Sequence, residues 1–338
     1  TYMVEDDSFG EGVYQVRLKV LKNRATNERV EVAWNVGGRT EALLLRSPSG
    51  NLREVLLHSK RNASDVFSNT GWKGDMLIPY ANRIKNGTYK LNGMTYYMER
   101  NENREPWGRE GIHGYLYRKE MHVASAVANN SCAKLVLSYD FDGTDPGYPF
   151  QLSVALTYIL DDKGLTITTH AENRATSGMP LPFYNSWHSY FLVSDVSQAI
   201  VTLDRCSRWN HIAVSNNSNR NGDLIPTGLT TPFYGFNGEE QIGGTHEEPT
   251  YWDDEFKAAD SVKDCPNLEV RVRDAASAET SVLWMDSEFR WVQVFTGAPL
   301  AFGEQAVAVE AMSSQCDAWN NMQGMRLLQA GEKWQGSF

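Results

Sequence analysis

The sequence has few cysteines, no long apolar run and no excess of positive charge. Its four cysteines are scattered without a CxxC pair, so a zinc or redox motif of that type is unsupported and their pairing is left open. No uninterrupted apolar stretch approaches the roughly 18 residues of a membrane-spanning helix. The formal net charge of −10 argues against nucleic acid, which requires a basic surface. We therefore expect a soluble protein with neither nucleic-acid nor membrane partners.

Sustained helical periodicity is also scarce, and period-2 alternation of apolar residues takes its place. Residues 150–160 alternate on one face, and the turn at 161–164 reverses the chain into a second alternating stretch at 165–171. Residues 89–96 predict another hairpin, since Asn92-Gly93 suits a type I′ turn. Hydrophobic residues make up 41% of a chain without a linker. The pattern predicts a single all-β domain over residues 1–338, a large antiparallel β-sandwich with few short helices.

The cellular compartment is addressed only by weak signals. The chain opens at Thr1 with no methionine and no apolar signal-like run, which fits a trimmed mature protein or an artificial start point. Four segments match the N-glycosylation acceptor pattern, a number that a chain rich in asparagine reaches by chance; they begin at Asn62, Asn86, Asn129 and Asn216. The interpretation favours a secreted protein and possible glycosylation, with a cytoplasmic protein as the alternative.

Two segments far apart in the chain each place one titratable residue among apolar neighbours. His188 lies within Asn185-Ser-Trp-His-Ser-Tyr-Phe191, and Glu310 lies within Val309-Glu-Ala-Met312. One carboxylate and one imidazole that face each other across a pocket can move protons in opposite directions on a small molecule. Taken alone, His188 would more often be a packed core histidine, and Glu310 a solvated or ion-paired strand residue.

Both segments resemble signatures of the aldose 1-epimerases, the galactose mutarotase family. The resemblance runs in the family's order from about Val13 to Trp334. The other segments that are similar to its motifs are Pro79-Tyr-Ala-Asn-Arg-Ile-Lys-Asn-Gly87, Gly111-Ile-His-Gly114, Asp142-Gly143 with Gly147-Tyr-Pro149, Asp253-Asp-Glu-Phe256 and Val292-Gln-Val-Phe-Thr-Gly297. A joint match in order is more specific than any one of these segments.

The resemblance implies an acid–base reaction on a free hexose, without a metal or an organic cofactor. Interconversion of α and β anomers opens the hemiacetal, rotates the C1–C2 bond and closes the ring on the other face. Glu310 is implied as the base on the C1 hydroxyl and His188 as the acid on the ring oxygen. Each such proton transfer is worth about 10² to 10⁴ in rate. A nearby carboxylate could hold the histidine protonated, and we expect the two groups to lie a sugar ring apart.

The resemblance also implies a set of residues that bind the sugar hydroxyls: Asn82, Arg83, His113, Asp253 and Gln293. Aromatic side chains pack against the C–H surfaces of sugars, and Trp187, Tyr190 and Trp252 are plausible walls. Arg83, Asp253 and Gln293 would otherwise be read as surface or sheet-edge polar residues, and His113 as a turn residue.

Several positions depart from the family pattern, which leaves the sugar open. Tyr115 replaces the second glycine after His113, Trp187 replaces the usual asparagine and Asp254 replaces a histidine, while Ala311 and Met312 replace Thr-Gln. We expect the changes at Tyr115 and Trp187 to reshape the pocket.

Two alternative functions stay open beside the epimerase. A hexose-6-phosphate mutarotase would need a cationic cluster, for which Arg104, Arg109 and Arg118 lie in a suitable segment. A non-catalytic carbohydrate-binding or structural protein could share the fold, although it has no need of an acid–base pair.

Overall fold

Antiparallel strands make up most of the regular structure in the computed structural model, which describes residues 1–102, 109–215, 222–243, 251–259, 265–297 and 303–338. The first strands are β1 (Tyr2–Phe9), β2 (Val16–Asn23), β3 (Arg29–Ala33), β4 (Arg39–Arg46), β5 (Leu52–Glu54), β6 (Met76–Leu77), β7 (Arg83–Ile84), β8 (Thr88–Leu91) and β9 (Met94–Tyr97). Next come β10 (Gly111–Ile112), β11 (His122–Ala128), β12 (Ala133–Asp142), β13 (Gln151–Asp161), β14 (Gly164–Asn173), β15 (Leu181–Phe183), β16 (Ser186–Leu192), β17 (Ile200–Leu203) and β18 (Trp209–Val214). The last are β19 (Pro226–Phe233), β20 (Asn237–Gln241), β21 (Asp253–Ala258), β22 (Leu268–Arg273), β23 (Thr280–Met285), β24 (Trp291–Phe295), β25 (Ala306–Met312), β26 (Arg326–Leu328) and β27 (Lys333–Ser337).

Four larger sheets organise these strands. Two sheets of five strands have the orders β1-β2-β3-β4-β5 and β11-β12-β13-β14-β27. A seven-stranded sheet has the order β19-β18-β21-β24-β25-β16-β6, and a four-stranded sheet the order β20-β17-β22-β23. The ladders between the described strands are antiparallel. The predicted all-β fold with an antiparallel sandwich architecture is confirmed.

Helices are short in the described part of the chain. The two α-helices are α1 (Ala63–Ser68) and α2 (Ala318–Asn321), and the 3₁₀ turns are Gly12–Tyr14, Thr70–Trp72, Lys85–Gly87, Leu116–Arg118 and Val196–Gln198. Asn62, one of the predicted glycosylation acceptors, caps α1 by accepting the amides of Ser64 and Asp65. None of the described helices has the length and apolar character needed to cross a membrane. The acceptor segment at Asn216 lies outside the described residues, and glycosylation stays a prediction.

The hairpins predicted from the sequence form at the expected turns. β13 and β14 pair from Leu152 with Asn173 to Asp161 with Gly164. β8 and β9 are joined at Asn92 and Gly93, whose φ values of 49° and 79° are those that a type I′ turn requires. Local turn chemistry and period-2 alternation together set the register of these pairs.

One hydrophobic cluster extends from Tyr2 to Phe338 and includes side chains from all four larger sheets. β25 is buried along its whole length, and β16 is buried at all but its last residue. Both strands are interior strands of the seven-stranded sheet, with β24 and β6 on either side of the pair. The single domain over residues 1–338 stays a prediction.

Two of the four cysteines form a disulfide that the sequence left open. Cys206 and Cys265 are joined across 59 residues, with their Cα atoms 5.8 Å apart. Cys316 is buried and free, and Cys132 is free and partly buried. The bridge links the segment after β17 to the segment before β22, which are neighbouring strands of the four-stranded sheet.

Candidate active site

A row of polar side chains crosses four adjacent strands in the middle of the seven-stranded sheet. His188 on β16 is the register partner of Glu310 on β25, which is the partner of Gln293 on β24. Gln293 in turn is opposite Glu255 on β21. Because side chains directly opposite each other in an antiparallel pair point to the same face, the register alone aligns these four residues. Residues 122 positions apart thus meet across one strand pair.

The candidate binding residues from the first half of the chain include two with a strained backbone, Asn82 and His113. Asn82 and His113 have φ values of 52° and 64°, a conformation that side chains rarely adopt. The amide of His113 donates to the carbonyl of Asn82 at 3.0 Å, and the amide of Asn82 donates to His113 Nδ1 at 3.2 Å. The short strands β7 and β10 pair next to them. Strain of this kind persists only where surrounding contacts fix it, and it concentrates at functional sites.

The two glycine positions after His113 have different structural roles. Gly114 has φ 69°, and a Cβ there would lie 2.3 Å from the carbonyl oxygen of Ile78. Tyr115 at the next position has φ −130°. Only the first position requires glycine, which explains why the chain accepts tyrosine at the second.

All seven residues predicted from the sequence line one open cleft of about 410 Å³. The set consists of Asn82, Arg83, His113, His188, Asp253, Gln293 and Glu310, with Trp72, Glu102 and Tyr190 among the other lining residues. The volume lies within the roughly 300–1,000 Å³ typical of small-molecule sites. The tertiary structure therefore brings together residues spread over more than two thirds of the chain, while their individual roles stay predictions.

The sugar-binding candidates are joined in a hydrogen-bond network. Arg83 Nη1 donates to Asn82 Oδ1 at 3.2 Å, and Asn82 Nδ2 donates to Gln293 Oε1 at 3.0 Å. Gln293 Nε2 donates to Asp253 Oδ1 at 2.8 Å, and Asp253 Oδ2 lies 3.8 Å from Arg83 Nη2. Arg83 Nε and Nη2 each donate a hydrogen bond of 2.8 Å to the carboxylate of Glu102. Such networks fix side-chain orientation before a ligand arrives.

His188 and Glu310 lie much closer together than the sequence led us to expect. His188 Nε2 is 3.4 Å from Glu310 Oε1, so the expectation that a sugar ring would separate the two groups was wrong. The physical reason is their direct register across β16 and β25. His188 Nδ1 and Glu310 Oε2 have no hydrogen-bond partner among the described residues, although both are buried. A buried polar atom left without a partner is costly and calls for an explanation.

Burial sets the protonation of this pair and disfavours charge on both members. It raises the pKa of Glu310 to about 8, with the carboxylates of Asp253 and Glu255 adding to the rise and Arg83 opposing it. It lowers the pKa of His188 to about 3, and the guanidinium of Arg39 acts in the same direction. At neutral pH these values leave the Glu310 carboxyl protonated and the His188 ring neutral, so the pair holds one titratable proton and no net charge. This replaces the expectation of an imidazolium held protonated by its carboxylate neighbour.

His113 is positioned as a hydrogen-bond donor. Its Nδ1 accepts the amide of Asn82, which leaves the proton of the neutral ring on Nε2. Burial, with His188 and Arg83 nearby, holds the pKa of His113 well below its usual value. His113, His188 and Glu310 have ligand atoms within 4.8 Å of one another and could form a metal group. A ring nitrogen that carries a proton cannot ligate a metal, so the tautomer favours a donor role. The predicted absence of a metal stays a prediction.

The predicted aromatic walls are correct at one position of three. Tyr190 lines the cleft and stacks on His188, with ring centroids 4.7 Å apart. Trp187 lies on the opposite face of β16 and stacks on Phe338 in the core. Trp252 packs against Phe236, and its indole N–H donates to the carbonyl of Ile242. Both tryptophans were assigned wrongly because period-2 alternation and loop geometry direct them away from the cleft.

The departures from the family pattern also lie outside the cleft. Tyr115 packs edge-on against Tyr80, and Trp187 is in the core, so the expectation that these two reshape the pocket was wrong. Asp254 pairs with His211 at 2.8 Å. Ala311 and Met312 are buried in the hydrophobic cluster.

Two residues that line the cleft, Trp72 and Glu102, and one residue beside it, Glu255, were missed by sequence reasoning. Trp72 forms an aromatic wall, with its ring centroid 4.8 Å from that of His113. Glu102 holds Arg83, and Glu255 continues the polar row on β21, where burial raises its pKa to about 8. Glu255 could have been found from the sequence, because it lies two residues after Asp253 on the same face of a strand. Trp72 and Glu102 lie in segments without alternation, and no local signal marks them.

Comparison with known proteins places the chain beside sugar epimerases. A family model described as aldose 1-epimerase matches residues 20–338. The uncharacterized protein YihR of Escherichia coli K12 is 27% identical over 263 residues, which are 77% of this chain and 75% of that protein. Human galactose mutarotase is 26% identical over 211 residues, or 60% of this chain and 54% of that protein.

Solved structures with 15–18% identity share the fold. A galactose mutarotase-like protein from Clostridium acetobutylicum is similar with a TM-score of 0.78 at 18% identity, covering 99% of this chain and 96% of that chain. Galactose 1-epimerase from Lactobacillus acidophilus gives a TM-score of 0.73 at 15% identity, covering 100% and 97%. The similarity extends over at least 96% of each chain compared.

Proposed function

The chain belongs to the aldose 1-epimerase family, and from that membership we propose that it interconverts the α and β anomers of a free hexose, with Glu310 and His188 as the acid–base pair. The observation that supports the proposal best is the state of this pair. Two titratable groups that line an open cleft face each other at 3.4 Å, and burial disfavours charge on both, so that they can exchange one proton.

The short distance suits the reaction because the two reacting oxygens share one carbon. In ring opening, the base removes the proton from O1, the C1–O1 bond becomes a carbonyl, the C1–O5 bond breaks and the acid protonates O5. Rotation about C1–C2 and the reverse steps close the ring on the other face. The proton count of the enzyme is unchanged over the cycle, and no electrons are exchanged. A base and an acid in contact can therefore serve O1 and O5 together.

The neutral pair can supply the base and the acid without a change in total charge. Glu310 as base and His188 as acid require a carboxylate beside an imidazolium, which forms when the Glu310 proton moves to His188 across the 3.4 Å gap. When the sugar ring opens, the imidazolium gives up its proton and the carboxylate gains one, which restores the neutral pair. One shared proton is therefore the requirement for turnover.

The remaining residues hold hydroxyls in this proposal. The Arg83–Asn82–Gln293–Asp253 network offers fixed donors and acceptors, and the Nε2 proton of His113 is a further donor. Trp72 and Tyr190 supply ring surface for the C–H faces of a sugar. No cofactor takes part in this scheme.

The positions and ion pairs of the arginines favour a neutral hexose over a hexose 6-phosphate as the substrate. Arg83, the arginine that lines the cleft, is already held by Glu102 with two bonds. Arg118 pairs with Glu99 at 2.5 Å, Arg109 is exposed outside the cleft lining, and Arg104 lies outside the described residues. A non-catalytic sugar-binding protein remains the second candidate, because nearly all the hydroxyl-binding groups would serve it equally well.

Polarimetry separates these functions. Freshly dissolved α-D-glucose and α-D-galactose should reach their equilibrium rotation faster with the protein than without it, and the acceleration should scale with protein concentration. Heat-denatured protein is the control for buffer catalysis. A protein that binds the sugars in calorimetry but leaves the rate unchanged would be a binding protein, and the epimerase proposal would be withdrawn.

A further inference from the structure

The turn at residues 69–75 joins α1 to β6 and supplies Trp72, an aromatic wall of the cleft. Trp72 also lines a neighbouring cavity of about 320 Å³, so its ring borders on open space in two places. The ring meets His113 and Tyr117 edge-on, with centroids 4.8 and 6.3 Å away. Because close packing does not enclose this ring, its orientation depends on these edge contacts and on hydrogen bonds.

The backbone of the turn is strained. Asn69, Gly71, Trp72 and Gly74 have φ values of 53°, 78°, 52° and 78°. Glycine and asparagine adopt a positive φ readily, but this conformation is unusual for a side chain as bulky as tryptophan. It persists where neighbouring contacts fix it. The position of Trp72 therefore requires specific partners.

Asn69 connects the Trp72 ring to a buried carboxyl group. In the amide orientation that satisfies its neighbours, Asn69 accepts the indole N–H of Trp72 at 2.7 Å and donates to Asp75 Oδ2 at 2.6 Å. The amide of Asp75 donates to the carbonyl of Trp72 at 3.1 Å. The three residues thus form a closed set of hydrogen bonds within the turn.

The second oxygen of Asp75 faces a buried arginine. Arg39 Nη1 lies 3.8 Å from Asp75 Oδ1, and Arg39 Nε lies 3.3 Å from Glu41 Oε2. The exposed fraction of each of these three residues is 1% or less. Glu41 also accepts hydrogen bonds from the amide and the hydroxyl of Ser59. Apolar side chains would fill this space at lower cost, so a buried carboxyl group here calls for a role beyond packing.

Backbone hydrogen bonds join the same turn to β16 at the reactive pair. The amide of His188 donates to the carbonyl of Asp75, and the amide of Gly74 donates to the carbonyl of His188, both at 2.9 Å. The Tyr190 hydroxyl donates to the carbonyl of Gly71 at 2.9 Å. None of these bonds uses the carboxyl group of Asp75. A substitution of that side chain can therefore act on the Trp72 ring while the bonds to His188 persist.

We propose that Asp75 is a positioning residue that acts through Asn69 and holds the Trp72 indole as a wall of the sugar site, a role that rests on the proposed epimerase function. Asp75 does not line the cleft, so it acts on the sugar only through Trp72. Loss of the Asp75–Asn69–Trp72 connection weakens sugar binding and leaves proton transfer by Glu310 and His188 intact.

Polarimetry on variants tests the connection through KM and kcat for glucose. Trp72→Phe keeps an aromatic ring without the N–H, and Asn69→Gly removes the amide while allowing the positive φ of that position. Asp75→Asn must turn an N–H group toward either Arg39 or the N–H of Asn69. We expect each variant to raise KM about three- to tenfold, the range of one hydrogen bond, with kcat changed less than about twofold.

An exchange of the two side chains provides the rescue. In the double variant Asn69→Asp/Asp75→Asn, the carboxylate at 69 can accept both the Trp72 indole N–H and the amide N–H at 75. The amide oxygen at 75 then faces Arg39. We expect KM to return to within about twofold of wild type, because the hydrogen bonds are restored with donor and acceptor exchanged.

Indole N–H signals of ¹⁵N-tryptophan-labelled protein report on the ring without reference to activity. The signal that Trp72→Phe removes identifies Trp72 among the ten tryptophans. Its hydrogen exchange should be about tenfold faster in Asn69→Gly and Asp75→Asn than in the wild type, and slow again in the double variant. Asp65→Asn is the matched control, since Asp65 pairs with Lys73 at 2.9 Å in the same segment. It should leave KM and the Trp72 signal unchanged.

Each other outcome contradicts a specific claim. Unchanged KM and exchange in Asp75→Asn, or a double variant no better than Asp75→Asn, would overturn the positioning role. A fall in kcat larger than the rise in KM would assign Asp75 to the reactive pair instead. Should Asp75→Asn not fold, Asn69→Gly and the double variant make the same comparison. If the wild type neither accelerates mutarotation nor binds glucose in calorimetry, the epimerase proposal fails, and the exchange rates alone decide whether Asp75 holds the ring.

Discussion

Two neighbouring parts of the cleft differ in how their polar atoms are partnered. In the binding network, Arg83, Asn82, Gln293 and Asp253 are linked one to the next by bonds of 2.8 to 3.2 Å. In the reactive pair, His188 and Glu310 face each other at 3.4 Å, and His188 Nδ1 and Glu310 Oε2 have no partner among the described residues. Gln293 and Asp253 of the network lie on the same face of the seven-stranded sheet as the reactive pair, and Asn82 and Arg83 reach that face from outside the sheet.

Under the proposed function, this difference separates groups that hold the sugar from groups that react with it. A fully hydrogen-bonded network keeps its geometry without a ligand and loses little entropy when one binds. In the pair, a buried polar atom of each residue lacks a partner among the described residues, which lowers the stability of the free protein. Under the proposed function, the network positions the sugar and the pair transfers protons.

Replacement of the carboxylate should give the largest effect on activity. Glu310→Gln keeps the size of the side chain but removes the titrating group, so we expect kcat to fall by about 10² to 10⁴. Binding of glucose should change little, because the network is intact. Polarimetry and calorimetry on the same preparation measure both quantities. Near wild-type turnover would show that Glu310 does not transfer a proton.

Truncation within the network should act mainly through KM. Arg83→Ala removes the cation that Glu102 and Asn82 orient, and we expect about a 10- to 100-fold rise in KM with a smaller change in kcat. Arg83→Lys is the matched control, since it keeps the charge but loses the two-pronged contact with Glu102. A fall in kcat as deep as that of Glu310→Gln would remove the distinction between network and pair.

The pH profile should report the shared proton of the pair. With the pKa of Glu310 raised to about 8 and that of His188 lowered to about 3, one proton is present throughout pH 4–7. We expect kcat/KM to be flat in that range and to fall about tenfold per pH unit above 8, where the proton is lost.

Neighbouring groups provide the control for this profile. Glu255 has a pKa raised to about 8 by burial, and Asp253, Arg83 and His113 also face the pair. Glu255→Gln should retain the alkaline fall if the proton belongs to the Glu310–His188 pair. A rate that climbs from pH 6 to 9 would instead indicate a carboxylate base that acts without a shared proton.

The last prediction concerns stability and not turnover. The carboxyl of Glu310 titrates near 8 in the folded protein and near its ordinary value of 4.5 when unfolded, so between these values the folded state binds the extra proton. The free energy of unfolding should therefore decrease as pH rises from about 5 to 8, by about 1.4 kcal/mol per pH unit for this group alone. Glu310→Gln removes this contribution.

Urea unfolding of both proteins at pH 5 and pH 8 measures the difference. Asp75 and Glu255, with pKa values raised to about 7 and about 8, give the wild type and the variant the same remaining slope. Parallel pH dependences for the two proteins would mean that Glu310 is ionised in the folded state.

Much of the site could be predicted because its residues lie in segments with a recognisable order. His188 and Glu310 stand within apolar strands, and Asn82, Arg83 and His113 flank turns that resemble family motifs. Their distances could not be predicted. Period-2 alternation says which face a side chain occupies, but the register between β16 and β25 decides that His188 and Glu310 touch.

The sequence by itself determined the all-β class, the main hairpins and the family, since alternation, turn chemistry and motif order are local properties of the chain. Only the tertiary structure decided the Cys206–Cys265 bridge, the hydrogen bonds from Arg83 to Glu102 and the position of Trp72, which lines both the cleft and the neighbouring cavity. These three features depend on contacts between segments whose relative positions are fixed by packing of the whole core. The tertiary structure also decided the protonation of the reactive pair, because burial shifts the pKa values of His188 and Glu310 away from those typical of their residue types.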